Sequence, residues 1–186
     1  MDEEAESTGS AEPPSPRDRA GQASIVLAVH LDGDDTDPPT LGWIEPQFRR
    51  VAALADVRAA EISLAIVGDR DMTRINQQYH QQHTTTDVLT FQMRRAAEPT
   101  SPDVDAAPIE GEIILCLDEA RRQAQLRGHH ARVELLLYAV HGLLHLIGYD
   151  DLDEADAQRM HEREDQLLAA VGIGPVYAAE SKESQT

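Results

Sequence analysis

Aromatic residues and cysteine are both scarce in this sequence, and each shortage excludes something. Aromatic residues make up 4% of the 186 residues, so the core has to be built mainly from Leu, Ile, Val and Ala. The single cysteine, Cys116, excludes an internal disulfide and is typical of a reducing compartment. No apolar run reaches the roughly 18 residues of a membrane span, and the acidic start MDEEAESTGSAEPPSP is unlike a secretory signal. We therefore expect a cytoplasmic protein without a membrane partner.

Positive charge is scarce as well. Lys182 is the only lysine, and 16 Lys and Arg residues face 34 Asp and Glu residues, which gives a formal net charge of -18. A charge of this size repels phosphate backbones, so the composition gives no support for a nucleic-acid partner, and we expect none that is DNA. If the partner is RNA, binding has to come from a local basic patch or from a bound metal ion.

Composition and hydrophobic period divide the chain into one domain and two tails. We expect residues 1–22 to be a disordered acidic tail, residues 23–171 to be the folded domain and residues 172–186 to be a C-terminal tail. The predicted strands are 24–30, 61–67, 87–93 and 111–116, and the predicted helices are 46–55, 71–78, 118–126, 131–147 and 153–171, with an exposed loop at 94–108. This order predicts a single α+β domain with a mixed sheet of about four strands and helices mainly on one face.

One predicted helix is unusual because its residues 135–147, LLLYAVHGLLHLI, are apolar on every side and should be buried. Its strongly polar side chains are His141 and His145, which lie four residues apart and can meet a single metal ion. Gly148 is expected to end the helix, and the turn 149–151, YDD, can then return a carboxylate to the same ion. The sequence therefore predicts a metal site on a buried helix and the turn after it. Two core histidines bonded to backbone carbonyls are the alternative.

The residue after His141 narrows the chemistry of such a site. Zinc proteases with this histidine spacing carry a glutamate at that position as their general base, whereas this sequence has Gly142. Ordinary metalloprotease chemistry is therefore disfavoured.

The string HGLLHLIGYDD at 141–151 resembles the signature H-G-x-L-H-L-x-G-Y-D-H of the YbeY family and matches every fixed position but the last. TDVLTF at 86–91 resembles the family's T-D/N-V-L-S-F, and GEIILC at 111–116 resembles its G-D-I-x-I-C/S strand. The resemblance extends over residues 23–171. It implies a zinc-dependent, single-strand-specific endoribonuclease that acts in 16S rRNA 3′ end maturation and ribosome quality control, with the small ribosomal subunit as partner.

Asp151 stands where the family has its third histidine ligand. The resemblance implies that His141, His145 and Asp151 hold one zinc ion per chain, because a carboxylate is a competent zinc ligand and three protein ligands plus water are the usual catalytic arrangement. Two histidines and one carboxylate also suit non-haem iron, so another divalent transition metal stays open. His161 on the following helix is an alternative third ligand.

A second departure from the family lies at His80, after Tyr79, where the family has a functional arginine. Such an arginine is expected to hold phosphate or stabilise transition-state charge, and His80, when protonated, can do this in part. The resemblance makes His80 the candidate catalytic residue, and His83 is either its helper or a solvated loop histidine. Four arginines are alternative sources of positive charge or solvated surface residues: Arg94, Arg95, Arg121 and Arg122.

Two other functions stay open at this point. A catalytically impaired, ribosome-associated binding factor fits the loss of both the third histidine and the arginine, and it would bind ribosomes without cleaving RNA. A metal hydrolase acting on another substrate fits the acidic composition. RNA cleavage that stops with a chelator would exclude that second alternative.

Overall fold

The structure, a computed structural model, describes residues 24–31, 38–57, 59–93 and 109–176. The predicted tail 1–22, the predicted loop 94–108 and residues 177–186 lie outside these ranges. The elements in chain order are β1 Ser24–Leu31, α1 Pro38–Leu54, β2 Ala59–Val67, α2 Asp69–His80, β3 Val88–Gln92, β4 Ile109–Cys116, α3 Leu117–Arg127, α4 Ala131–Leu146 and α5 Glu154–Ala170. Among them, no helix combines the length and the apolar content that crossing a bilayer requires.

The strands form one sheet in the order β1-β2-β4-β3. Strands β1, β2 and β4 run parallel, whereas β3 pairs antiparallel with β4. In β2 the alternate residues Ile62, Leu64 and Ile66 are all buried, as the period of two along a strand requires when one face meets a core. Strand β3 lies at the edge, so its outer backbone groups have no strand partner within the described ranges.

Helices cover the two faces of the sheet unequally. Helices α1, α4 and α5 pack on the face that carries Leu64 and Leu115, where they enclose the main core. Helix α2 packs on the opposite face, and there Met72 lies in a smaller cluster with Ile114 and Cys116. The single α+β domain and the mixed sheet are thereby confirmed, with the helices mainly on one face.

Helix α1 begins earlier than predicted. The spacing predicted a helix over 46–55, but the structure has it at Pro38–Leu54, with the exposed Pro46 in its interior. Proline inside a helix removes a hydrogen bond and is more typical of a helix start, which explains the error. Ile44 and Phe48, on either side of the proline, are both fully buried, so burial of this apolar stripe outweighs that cost.

The chain stays packed for several residues beyond Val171, the predicted end of the domain. The backbone N–H of Val176 donates to Asp165 Oδ1 at 2.6 Å, and the Val176 side chain is buried. The described part of the predicted C-terminal tail, 172–176, therefore packs on the domain.

Candidate metal centre

Helix α4 lies unusually close to the sheet where it carries the two histidines. A Cβ atom added at Gly142 would come within 2.7 Å of Ile113 Cγ2 and 2.8 Å of Thr90 Oγ1. Distances this short are not compatible with a side chain, so Gly142 sets the separation between α4 and strands β3 and β4. The same close approach leaves no room for the glutamate that zinc proteases carry at this position. His141 and His145 flank this contact and face the edge strand β3.

The turn after α4 brings a carboxylate back to the histidines. Gly148 has a φ of +99°, a conformation that favours glycine, and the helix stops there as predicted. The Tyr149 N–H donates to Leu144 O at 3.0 Å, which reverses the chain along the helix end. Asp150 Oδ1 then accepts from the Asp151 N–H at 2.8 Å, so Asp150 orients the turn.

The structure brings together the three residues that the sequence singled out as ligands. His141 Nε2 and His145 Nε2 lie 3.0 Å apart. Asp151 Oδ2 lies 3.8 Å from His141 Nε2, and Asp151 Oδ1 lies 3.8 Å from His145 Nε2. The prospective ligand atoms of these residues all lie within 4.8 Å of one another. This donor set of two imidazoles and one carboxylate is one that zinc and other divalent transition metals accept.

The remaining ring nitrogens decide which tautomer each histidine adopts. His145 Nδ1 lies 3.1 Å from the Tyr149 carbonyl oxygen, which can only accept, so this nitrogen is the donor. His141 Nδ1 donates in the same way to Glu164 Oε1 at 2.8 Å. In the neutral rings both Nε2 atoms then carry lone pairs, and these face each other at 3.0 Å. Two lone pairs at this distance repel unless a proton or a metal ion lies between them, and the donor atoms of the residues present fit a metal ion.

Glu164 on α5 is the site residue that the sequence reasoning missed. Its side chain is 0% exposed, and its second oxygen, Oε2, has no hydrogen-bond partner among the described residues. A carboxylate behind a metal-binding histidine fixes the ring and raises its basicity. A signal was available, because Glu164 falls on the inward stripe of α5 with Met160, Leu167 and Leu168, where an apolar residue is expected.

The negative charges around His141 favour a positive charge on its ring. Burial, the largest single influence, opposes protonation, but the hydrogen bond and charge of Glu164 together with the charges of Asp151 and Asp87 outweigh it and raise the pKa of His141. An environment that stabilises a proton at Nε2 also stabilises a metal cation there.

The side chains of His141 and His145 line a cleft of about 370 Å³ beside the edge strand. His80, the last residue of α2, lines this cleft together with both histidines. The structure therefore places the predicted catalytic residue in the same cleft as the two predicted histidine ligands. The other lining residues come from β3 and from the end of α4: Val88, Leu89, Thr90, Gln92 and Leu146.

The other sequence candidates lie elsewhere. Arg122 is bound to Asp69 and Glu119 at the surface between α2 and α3, and Arg121 pairs with Asp118. Arg94 and Arg95 are outside the described residues, and the residues lining the cleft include no arginine within the described ranges. His161 is not part of the group that His141, His145 and Asp151 form.

Residues 86 and 87 form a strand cap at the start of β3. Asp87 Oδ1 accepts from Thr86 Oγ1 at 3.0 Å and from the Val88 N–H at 2.9 Å. These contacts fix the first residue of the edge strand beside the cleft.

Fold and site together define a single-domain α+β protein with a two-histidine, one-carboxylate centre at the edge of its sheet. The chain belongs to the YbeY family, because the family model described as Endoribonuclease YbeY matches residues 41–172. It is 38% identical over 135 residues to the Endoribonuclease YbeY of Anaeromyxobacter sp. (strain Fw109-5), which covers 68% of this chain and 67% of that relative. It is 39% identical over 119 residues to the Endoribonuclease YbeY of Staphylococcus aureus (strain bovine RF122 / ET3-1), with 61% of this chain and 74% of that relative covered.

A solved structure agrees with this fold. The solution structure of the protein TM1509 from Thermotoga maritima matches with a TM-score of 0.56 at 21% identity, covering 87% of this chain and 96% of that one. The family resemblance is confirmed, and at the level of the family so is the expectation of a hydrolase acting on RNA.

Proposed function

We propose that the protein is a metal-dependent endoribonuclease specific for single-stranded RNA, which acts in 16S rRNA 3′ end maturation and ribosome quality control in the cytoplasm. His141, His145 and Asp151 hold one metal ion, with zinc the first choice and another divalent transition metal compatible. The supporting observation is the pair of imidazole Nε2 atoms that face each other at 3.0 Å beside Asp151. The family supplies the substrate class, and ribosomal RNA in the small subunit is the proposed partner.

When bound at such a site, a divalent metal lowers the pKa of a water molecule and polarises a phosphoryl oxygen. The residues of the chain hold the donor atoms in place for this. Glu164 fixes the ring of His141 from behind, and the Tyr149 carbonyl fixes the ring of His145. Asp151, which is partly exposed, supplies the third donor. Rings held in this way present both Nε2 atoms to the cleft without rearrangement.

His80 is the side chain that we assign to the substrate phosphate. It lines the cleft that also contains His141 and His145, so an RNA phosphate bound in this cleft can meet His80. A protonated imidazole there donates to a phosphoryl oxygen or gives a proton to the leaving oxygen. Because it carries less permanent charge than the family's arginine, we expect His80 to do this less effectively.

Metal content tests the ligand set directly. We expect mass spectrometry to find about one zinc or other transition metal ion per chain in the purified wild type and several-fold less in Asp151→Ala. Asp150→Asn is the matched control, because it removes the neighbouring charge but keeps an oxygen that can accept from the Asp151 N–H. This control should retain the metal.

Cleavage of single-stranded RNA tests the activity. We expect cleavage that a chelator abolishes and zinc restores, and that His80→Ala reduces while leaving the metal content unchanged. No metal in the wild type, even after reconstitution, would overturn the hydrolase proposal.

A second candidate function is a ribosome-associated binding factor that does not cleave RNA. The observation in its favour is the double departure from the family, Asp151 for histidine and His80 for arginine. This candidate requires association with the small subunit that is unaffected by the chelator, together with no cleavage in the reconstituted protein.

A further inference from the structure

An exposed aromatic cluster lies beside the candidate metal cleft. Tyr79, near the end of α2, is 59% exposed in a chain that has few aromatic residues. Its ring packs against Phe91 of β3 with 4.8 Å between the centroids and an angle of 59°. The His80 ring lies 6.4 Å from the same Phe91 ring. We call Tyr79, His80 and Phe91 the aromatic platform.

The platform contributes less to the core than aromatic residues usually do. Helix α2 is anchored to the sheet by Met72 and by Asn76, whose side chain donates to Thr84 O at 2.8 Å. Tyr79 lies one turn beyond Asn76, where it leans on Phe91 and leaves most of its surface open. An exposed aromatic ring supported from below has the geometry of a stacking surface.

The platform is also continuous with the cleft. His80 belongs to both, because its ring lies near Phe91 and it lines the cleft that contains His141 and His145. Phe91 sits on the edge strand between Thr90 and Gln92, which line the cleft as well. A strand bound in the cleft can therefore extend onto the platform around the edge strand.

Charge makes this surface accessible to a polyanion. Residues 72–86 contain no Asp or Glu, although the whole chain has 34 of them. Residues 77–84 are all exposed and consist of Gln, His, Thr and Tyr79, which can form hydrogen bonds without repelling phosphate. The nearest acidic neighbour in the sheet is Glu112, which is the register partner of Phe91. On a chain with a net charge of -18, this is a stretch that RNA can approach.

We propose that the aromatic platform binds an unstacked base of single-stranded RNA, with Tyr79 as the main stacking residue, and so positions the strand for the metal centre. The inference rests on the proposed function, whose substrate class it takes over. Stacking does not depend on base identity and requires a base free of a duplex, so the platform accounts for single-strand specificity without arginines. Tyr79 is a positioning residue for RNA.

The test compares three variants in the full chain. Tyr79→Leu keeps apolar bulk on Phe91 but removes the ring, Tyr79→Phe keeps the ring, and Leu126→Ala removes an even more exposed apolar side chain on α3. Binding of a fluorescein-labelled single-stranded oligoadenylate is measured by anisotropy for the metal-loaded protein and again in the presence of a chelator. We expect about 5- to 100-fold weaker binding for Tyr79→Leu and wild-type binding for the other two. In cleavage assays the KM should rise in Tyr79→Leu while kcat changes little.

Each outcome has a definite reading. Unchanged binding in Tyr79→Leu, an equal loss in Tyr79→Phe, or an equal loss for duplex RNA would overturn the platform. A dimer of wild type that Tyr79→Leu dissociates would instead assign the surface to self-association and also overturn it. If the wild type cleaves RNA and Tyr79→Leu binds RNA normally, the platform is refuted and the proposed activity is not. Ring-dependent binding without cleavage at any metal concentration refutes the proposed activity and leaves the platform intact.

Discussion

Two glutamates, Glu134 of α4 and Glu164 of α5, are fully buried near opposite ends of helix α4, and their hydrogen-bond partners differ. Glu134, in the first turn of α4, receives hydrogen bonds on both oxygens from Arg127 at 2.8 Å and a further one from His129 Nε2 at 2.6 Å. Glu164, from α5, meets only His141 at 2.8 Å, and its second oxygen has no partner within the described residues. A guanidinium balances the first charge, whereas no arginine or lysine in the described part of the chain contacts the second.

The difference separates a structural carboxylate from a functional one. A buried charge is tolerated when it is paired and hydrogen-bonded, and it is costly otherwise. The Glu134 network is complete within the protein and ties the α3–α4 connection to the helix. When His141 is neutral, the Glu164 network has no positive charge among the described residues, and His141 points its other nitrogen toward His145 and Asp151. Under the proposed function, a metal ion at that position would complete the second network as Arg127 completes the first.

Removing Arg127 should have the largest effect on folding. In Arg127→Met, Glu134 stays buried without its guanidinium, so we expect the free energy of unfolding to fall by about 3 kcal/mol, as measured by urea denaturation. Arg121→Met, at a more exposed arginine of the same helix, should cost less than about 1 kcal/mol. Metal content should match the wild type in both variants. Unchanged stability in Arg127→Met would mean that Glu134 carries no charge that needs compensation. The contrast between Glu134 and Glu164 would then not hold.

Glu164→Gln should have the next largest effect, and it should fall on metal affinity. The glutamine keeps the shape but removes the charge behind His141, so we expect zinc affinity to drop about 10- to 100-fold in competition with a chromophoric chelator. The stability of the metal-free protein should stay the same or rise, because an unbalanced buried charge is lost. Glu162→Gln, on the exposed side of α5, is the control. A large loss of stability without a change in affinity would make Glu164 a structural residue like Glu134.

The parts of the site that local rules govern could be predicted from the sequence. A spacing of four places His141 and His145 on one helix face, and Gly148 ends the helix one turn before Asp151. The predicted start of α5 at 153 follows the same kind of rule, because the Asp153 side chain caps the helix by accepting the Asp156 N–H at 2.8 Å. These inferences need helix geometry and capping chemistry but no knowledge of tertiary contacts.

The rest depends on contacts between distant segments. Glu164 lies 23 residues from His141, and its role follows from the packing of α5 on α4. The place of His80 in the cleft depends on how α2 crosses the edge strand, and only the family resemblance indicated it. Burial gave partial clues, since a glutamate on an inward stripe and a tyrosine on an exposed surface both contradict the usual pattern.

The ion pair between Asp69 and Arg122 provides an exposed reference for the buried glutamates. Arg122 donates to both oxygens of Asp69, at 2.6 and 2.8 Å, and this hydrogen bonding is the main cause that lowers the pKa of Asp69 to about 2. Since the folded-state pKa lies below the unfolded value, the stabilisation is present above about pH 4 and is lost as the pH falls toward 2. Both side chains are over 40% exposed, so solvent screening limits the effect to about 1 kcal/mol or less.

Arg122→Ala should therefore reduce stability slightly at neutral pH, and the difference from wild type should shrink in urea denaturation series below about pH 4. Cys116 and Thr85 also bond to Asp69, so part of its lowered pKa should survive the substitution. If Arg122→Ala costs as much as Arg127→Met, then burial is not what distinguishes these carboxylates. In that case the unpartnered oxygen of Glu164 would no longer argue for a bound cation. A small, pH-dependent loss of stability would instead show that burial makes a carboxylate depend on a charged partner. Glu164, which is fully buried and has one oxygen without a hydrogen-bond partner among the described residues, then has the greatest need of a cation.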